Sequence, residues 1–321
     1  MERQKVKQYL LCYTISALIC LFVSCDPPAE KPSGFDLSKR SSELRDEALD
    51  PEYECQKHFY RPFMTAGGSG GKVEKGQSFE EYKNSNPNRP DAEKDKIYIL
   101  LIGDFDQKQL QVLDHTIEYM ESCFSLPVKK LASFPIKRIA DTAKRTSPEF
   151  GHPQLNATDI IKDVLLPNRP ADAVALIGFT ALDLYPSENM NYVFGLASLT
   201  NRIGIWSIYR NGNPEINENM FKMCLRRTIS TAIHETGHIF GIKHCIAYEC
   251  VMSQRDNMVQ KDLRGLHFCP SCQQKLNWSM KFDPAKRFRN LMALCSTIGL
   301  KKEASFFQKS LELLRKNRVN K

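Results

Sequence analysis

The chain has 321 residues, 42% of them hydrophobic and 26% charged, and about 200 residues are enough to bury one core. Its net charge of +8 is modest, and no basic patch is interleaved with aromatic residues, so nucleic-acid binding is excluded as the leading reading. The excess falls partly on the C-terminal tail, where it suits an anionic membrane surface or a solvated helix face.

In chain order, residues 1–25 stand apart from the fold. Arg3, Lys5 and Lys7 make a basic start, and an apolar run follows from Tyr9 to Val23. That run is shorter than the roughly 20 residues that span a bilayer and suits a signal-peptide core. It ends Leu21-Phe22-Val23-Ser24-Cys25, a small residue directly before cysteine. The pattern resembles a bacterial lipoprotein signal peptide, with Cys25 as the lipidation site. The expected protein is then exported and membrane-anchored, with its basic start inside and its domain outside. An uncleaved anchor gives the same orientation. If the segment is no export signal, the protein stays cytoplasmic.

Residues 26–94 read as a flexible tether. They show mixed charge, little hydrophobic periodicity, a glycine-rich run at Gly67–Gly71 and proline punctuation from Asn84 to Pro90. The domain is expected over 95–321. Lys96 to Gly103 is a buried-strand pattern, and Asp106 to Phe124 reads as a helix with Leu110, Leu113, Ile117 and Met120 on one face. Val128–Leu131 is a short strand, Asn156–Leu166 a helix stopped by Pro167, and Ala173–Gly178 and Ile203–Tyr209 are further strands. This alternation implies an α/β (α+β) domain with a mixed, mostly parallel sheet packed against helices. Asn213-Pro214 offers a cap and first-turn proline for a long helix whose apolar face runs Ile216, Met220, Cys224. Beyond Pro284 the chain is basic and helical.

That long helix carries His234-Glu235-Thr236-Gly237-His238. Residues four apart on an α-helix project from one face about 6 Å apart, so His234 and His238 can share one Zn²⁺. Glu235, beside them, is placed to act as general base on a zinc-bound water. Gly241 can end the helix and reverse the chain, returning His244 to the same metal as third ligand. Three protein ligands leave a fourth position open, as in catalytic zinc sites. The other four histidines take no assigned role.

Cys245-x4-Cys250 and Cys269-x2-Cys272 form two close pairs separated by a loop, the spacing of a structural zinc held tetrahedrally by four cysteines. Disulfides between the pairs are the competing arrangement; bridges within a pair would close very small, strained loops. Export sharpens the choice, because an oxidising compartment favours disulfides unless zinc is loaded first. Cys245 follows His244 directly, so one stretch of backbone would serve both metals.

At these residues the chain resembles the archaemetzincins, a branch of the metzincin zinc metallopeptidases. The carriers are His234, Glu235, His238, Gly241, His244, Cys245, Cys250, Met252, Cys269 and Cys272. Asp183-Leu184-Tyr185-Pro186, Asn191 to Gly195 and Ala197 to Thr200 extend the similarity upstream, and the order of elements does so from about Lys96 to Leu294. The resemblance implies a metzincin-like zincin domain with a long active-site helix and two zinc ions per chain, one catalytic and one structural. It implies Met252 in a Met-turn beneath the catalytic metal; by composition alone Met252 is a core residue. Peptide or protein substrates are implied, with no cleavage rule. In metzincins a sheet edge strand holds the substrate, and Ile203-Gly204-Ile205-Trp206 is a candidate for it, with an ordinary core strand as the equal alternative. Two further functions remain at this point: a zinc-stabilised binding protein without catalysis, and a zinc hydrolase of a non-protein amide.

Overall fold

The computed structural model describes residues 35–63, 74–254 and 258–319. The basic start, the apolar run, Cys25 and the glycine-rich run lie outside the described residues. No described helix is long and apolar enough to cross a membrane.

Residues 35–63 and 74–94, expected to be part of a tether, are built into the domain. Helix α1 spans Leu37–Asp46, capped by the Asp36 side chain, and helix α2 spans Phe79–Asn84 behind a reciprocal Ser78/Glu81 capping box. Leu44, Tyr53, Tyr60 and Tyr82 are buried, and three of them, Leu44, Tyr60 and Tyr82, join the main core. These anchors sit one per short element, so they produce no helical or strand periodicity. That is why the stretch reads as polar linker.

The central sheet is built from five strands. Strands β1 (Lys96–Ile102), β2 (Val128–Lys130), β5 (Ala173–Thr180) and β8 (Ile203–Ser207) are parallel, and β7 (Gly195–Ser198) runs antiparallel to β8. Their order across the sheet is β2-β1-β5-β8-β7. Strands β3 (Lys144–Thr146), β4 (Pro153–Asn156) and β6 (Asp183–Tyr185) form a second, three-stranded sheet. Both faces of β1 are covered. Ile97, Ile99 and Leu101 enter one core, while Tyr98, Leu100 and Ile102 enter the other. Two-sided burial explains why β1 and β5 are nearly continuous apolar runs.

The first core holds the main helices. Helix α3 (Gln107–Phe124) begins at an Asp106/Gln109 capping box and buries Leu113, Ile117 and Met120; Leu110, expected on that face, is 39% exposed. The segment after β4 is helical, a turn at Ala157–Asp159 running into a π-helix at Ile160–Leu165. Helix α4 (Glu218–Ile239) is the long helix that carries the histidines. Its cap is Asn217, whose side chain accepts from the Met220 amide, rather than Asn213. Asn213 instead accepts from the Glu215 amide in a local turn, and Ile216 is left exposed outside the helix. Helices α5 (Pro270–Met280), α6 (Pro284–Thr297) and α7 (Lys301–Val319) close the core. Phe288, Leu291, Phe307, Leu311 and Leu314 point inward, and Lys301, Lys302, Lys309, Arg315 and Lys316 face solvent.

Of the two readings of Ile203–Trp206, the ordinary core strand holds and the substrate-binding edge strand does not. Ile203–Trp206 lies in β8, enclosed by β5 and β7, so its backbone groups are already paired on both sides. The edge on that side is β7.

Candidate metal centres

Helix α4 ends where the sequence places its stop. Gly241 adopts φ +82°, and the amides of Gly241 and Ile242 donate to the carbonyls of His238 and Gly237. This left-handed C-terminal turn brings the chain back so that His244 meets His234 and His238. The Nε2 atom of His234 lies 3.1 Å from that of His238 and 3.3 Å from that of His244.

Each Nδ1 has an acceptor. His234 Nδ1–H donates to the Val251 carbonyl at 2.6 Å, and His238 Nδ1–H donates to the Ile242 carbonyl at 2.7 Å. His244 Nδ1–H donates to the Glu74 carboxylate at 2.7 Å. A carbonyl and a carboxylate accept only, so in its neutral form each of the three rings carries its proton on Nδ1. Three Nε2 lone pairs then face one point, and lone pairs at such distances repel unless a cation lies between them. A tetrahedron with Zn–N near 2.0–2.1 Å has edges of about 3.3 Å, close to both observed spacings. The residues present fit a zinc ion.

Glu235 follows His234 on α4 and is half-buried. Met252 is fully buried with its thioether against the helix at Gly237, where an added Cβ would stand 2.6 Å from its Sδ. It therefore lies beneath the turn that carries His234 and His238.

Cys245, Cys250, Cys269 and Cys272 form the second cluster, all buried and all free thiols. The Cys245 and Cys269 sulfurs are 3.7 Å apart, against about 2.05 Å in a disulfide. A tetrahedral site with Zn–S near 2.3 Å has edges of about 3.8 Å. Hydrogen bonds from the other three cysteines pull the Cys245 thiol well below its ordinary range. Burial pushes Cys269 up, and the hydrogen bond with Cys245 pushes Cys272 up. Four buried sulfurs gathered at these distances, with Cys245 drawn toward its thiolate form, make a donor set that fits zinc.

The two centres share backbone. The Cys245 amide donates to the Met252 carbonyl, and the Met252 amide donates to the Cys250 sulfur at 3.3 Å. Among the described residues, these are the two clusters of metal-ligating groups. His115 and His152 are paired with Glu118 and Asp183, and His267 stacks on Phe306. Sequence spacing identified the histidines, Glu235 and the cysteines, the family resemblance added Met252, and the structure brings the three histidines into one cluster and the four cysteines into another. Spacing did not identify Glu74, which comes from 170 positions earlier.

Residues 170–278 match the sequence profile of Peptidase family M54. The chain is 31% identical over 248 residues to Archaemetzincin-2 of Homo sapiens, covering 67% of this chain and 68% of that protein. The chain belongs to the archaemetzincins. It is 28% identical over 188 residues to the archaemetzincin of Pyrococcus furiosus, covering 57% of this chain and 93% of that one. A crystal structure of archaemetzincin from Methanopyrus kandleri superposes with a TM-score of 0.46 at 24% identity, over 60% of this chain and 99% of that one. As an archaemetzincin this chain is a zinc-dependent metallopeptidase, a hydrolase of peptides or proteins.

Proposed function

We propose that His234, His238 and His244 hold the catalytic zinc and that Glu235 is the general base of peptide-bond hydrolysis. The convergence of the three Nε2 lone pairs at 3.1 and 3.3 Å is the observation that carries this reading. A bound zinc supplies Lewis acidity, activating water and polarising the peptide carbonyl. Glu235 accepts the proton shed by the attacking water, holds it on its carboxylate and delivers it to the departing amine. Met252 supports the helix turn between the two helical ligands from below. The free edge of β7 can take an extended substrate as an added strand, since β7 is paired within its sheet to β8 alone among the described strands. Glu235→Ala with its zinc retained and its peptidase activity abolished supports the assignment; full activity in that variant refutes it.

A second zinc on Cys245, Cys250, Cys269 and Cys272 is structural in this reading. It pins the loop that delivers His244. We further propose that the chain is exported and lipid-anchored at Cys25, on the strength of the basic start, the short apolar core and the small residue before that cysteine. Metabolic labelling with a radioactive fatty acid tests it: label that persists in Cys25→Ser rules the anchor out.

A further inference from the structure

The three histidines are oriented by different kinds of partner. The acceptors for His234 and His238 are backbone carbonyls of Val251 and Ile242, 17 and 4 residues further along the chain, in the turn and loop that follow the helix. The acceptor for His244 is a side-chain carboxylate from a separate segment. We propose that Glu74 is a positioning residue for the third metal ligand. Its carboxylate fixes the Nδ1–H tautomer and ring plane of His244 and so makes metal retention depend on the segment before the domain's first strand. This rests on the reading of the three histidines as zinc ligands.

The segment is built to hold that carboxylate. Two residues on, Gly76 takes φ +62° and packs so closely that an added Cβ would lie 2.6 Å from Ile246 and 2.8 Å from Leu44. Gln77 then grips the metal-binding turn at two points. Its amide nitrogen donates to the Gly241 carbonyl at 3.3 Å, and its amide oxygen accepts from the Lys243 backbone N–H at 3.2 Å. The buried Lys275 ammonium donates to the Gln77 carbonyl. Arg40 donates to the Lys75 carbonyl at 3.3 Å and pairs with Glu81 at 2.6 Å. The segment from Lys75 to Gln77 is thus held by Arg40 and Lys275 and, through the Gln77 side chain, by the loop that follows His238. Glu74 reaches Nδ1 of His244, the side of the ring away from Nε2, so it orients the ligand without joining the ligand set. A carboxylate there also makes the imidazole a stronger donor to the metal.

The test loads cobalt(II) into the histidine site of the full chain, Glu74→Gln and Glu74→Leu, with zinc kept at the cysteines. Affinity is read by chelator competition and geometry by the cobalt ligand-field spectrum. Loss of a hydrogen bond to a ligating histidine typically costs about 10–100-fold in metal affinity. Glu74→Leu should show a loss of that size with altered cobalt bands. Glu74→Gln should lose less, because its amide oxygen still accepts from Nδ1–H. Wild-type affinity and spectrum in Glu74→Leu overturn the proposal. So does a Glu74→Leu protein that loses its cysteine-site zinc in parallel, since the effect is then general unfolding. A wild-type chain that takes up no cobalt at the histidines fails at the earlier step and overturns the zinc-ligand reading itself, and the proposal with it.

Discussion

At His244 a distant carboxylate does what nearby carbonyls do at His234 and His238, and the three rings end with the same tautomer. In the proposed mechanism a different residue, Glu235, acts on substrate. Replacing Glu235 by Gln keeps the shape and removes the base, so turnover should fall by ~10²–10⁴ while bound zinc is unchanged. Steady-state kinetics beside metal analysis checks this. Gly241 is the residue the turn depends on. Its φ of +82° disfavours any side chain, and an added Cβ would lie 2.7 Å from the Pro87 Cβ. Gly241→Ala should cost about 1–3 kcal/mol in denaturant unfolding, with weaker metal retention. The histidines, the glutamate and this glycine were legible because their spacing is local. Glu74 was not, because a lone carboxylate beside a glycine-rich run has no pattern that points 170 residues ahead.

At the level of elements, the loop from Cys245 to Met252 is the shared part. It starts one residue after His244, supplies two sulfurs, and gives the Val251 carbonyl to His234. The double variant Cys269→Ser, Cys272→Ser should lose the cysteine-site zinc and also bind the histidine-site zinc more weakly; full histidine occupancy and activity would detach the two sites. Helix α2 locks the other side of the turn. The Tyr82 hydroxyl donates to the Phe240 carbonyl at 3.0 Å and meets the Ser279 hydroxyl at 2.5 Å. Tyr82→Phe leaves both groups short of a partner in a buried place and should destabilise the fold by about 1–3 kcal/mol in thermal or denaturant melts. The strands and long helices were readable because their apolar runs and periods are long. The second sheet and β7 were not, since three- and four-residue strands carry too few side chains to show alternation; β2, equally short, was the exception. The start of α4 was misplaced because Asn213-Pro214 and Asn217 both offer capping chemistry, and only tertiary packing decides between them.

For the whole molecule, the central sheet is covered on both faces and the region before β1 completes the cover of one of them. Leu44, Tyr60 and Tyr82 belong to the same core as α3, α4 and the C-terminal helices. Those helices are tied in by the buried Arg287, which donates to the Cys123 carbonyl and to Gln273, and by the Arg226–Glu303 pair. A chain beginning near residue 95 should therefore expose the core around the metal-binding turn and be recovered aggregated or metal-poor, measured by size-exclusion chromatography with metal analysis. The measurement that tests the account most directly is zinc per chain in the full protein and in Glu235→Ala, beside hydrolysis of a peptide library. Two equivalents in both proteins, with hydrolysis in the wild type alone, is the predicted result. Fewer than two equivalents in the wild type, or peptide hydrolysis that survives in Glu235→Ala, would contradict it.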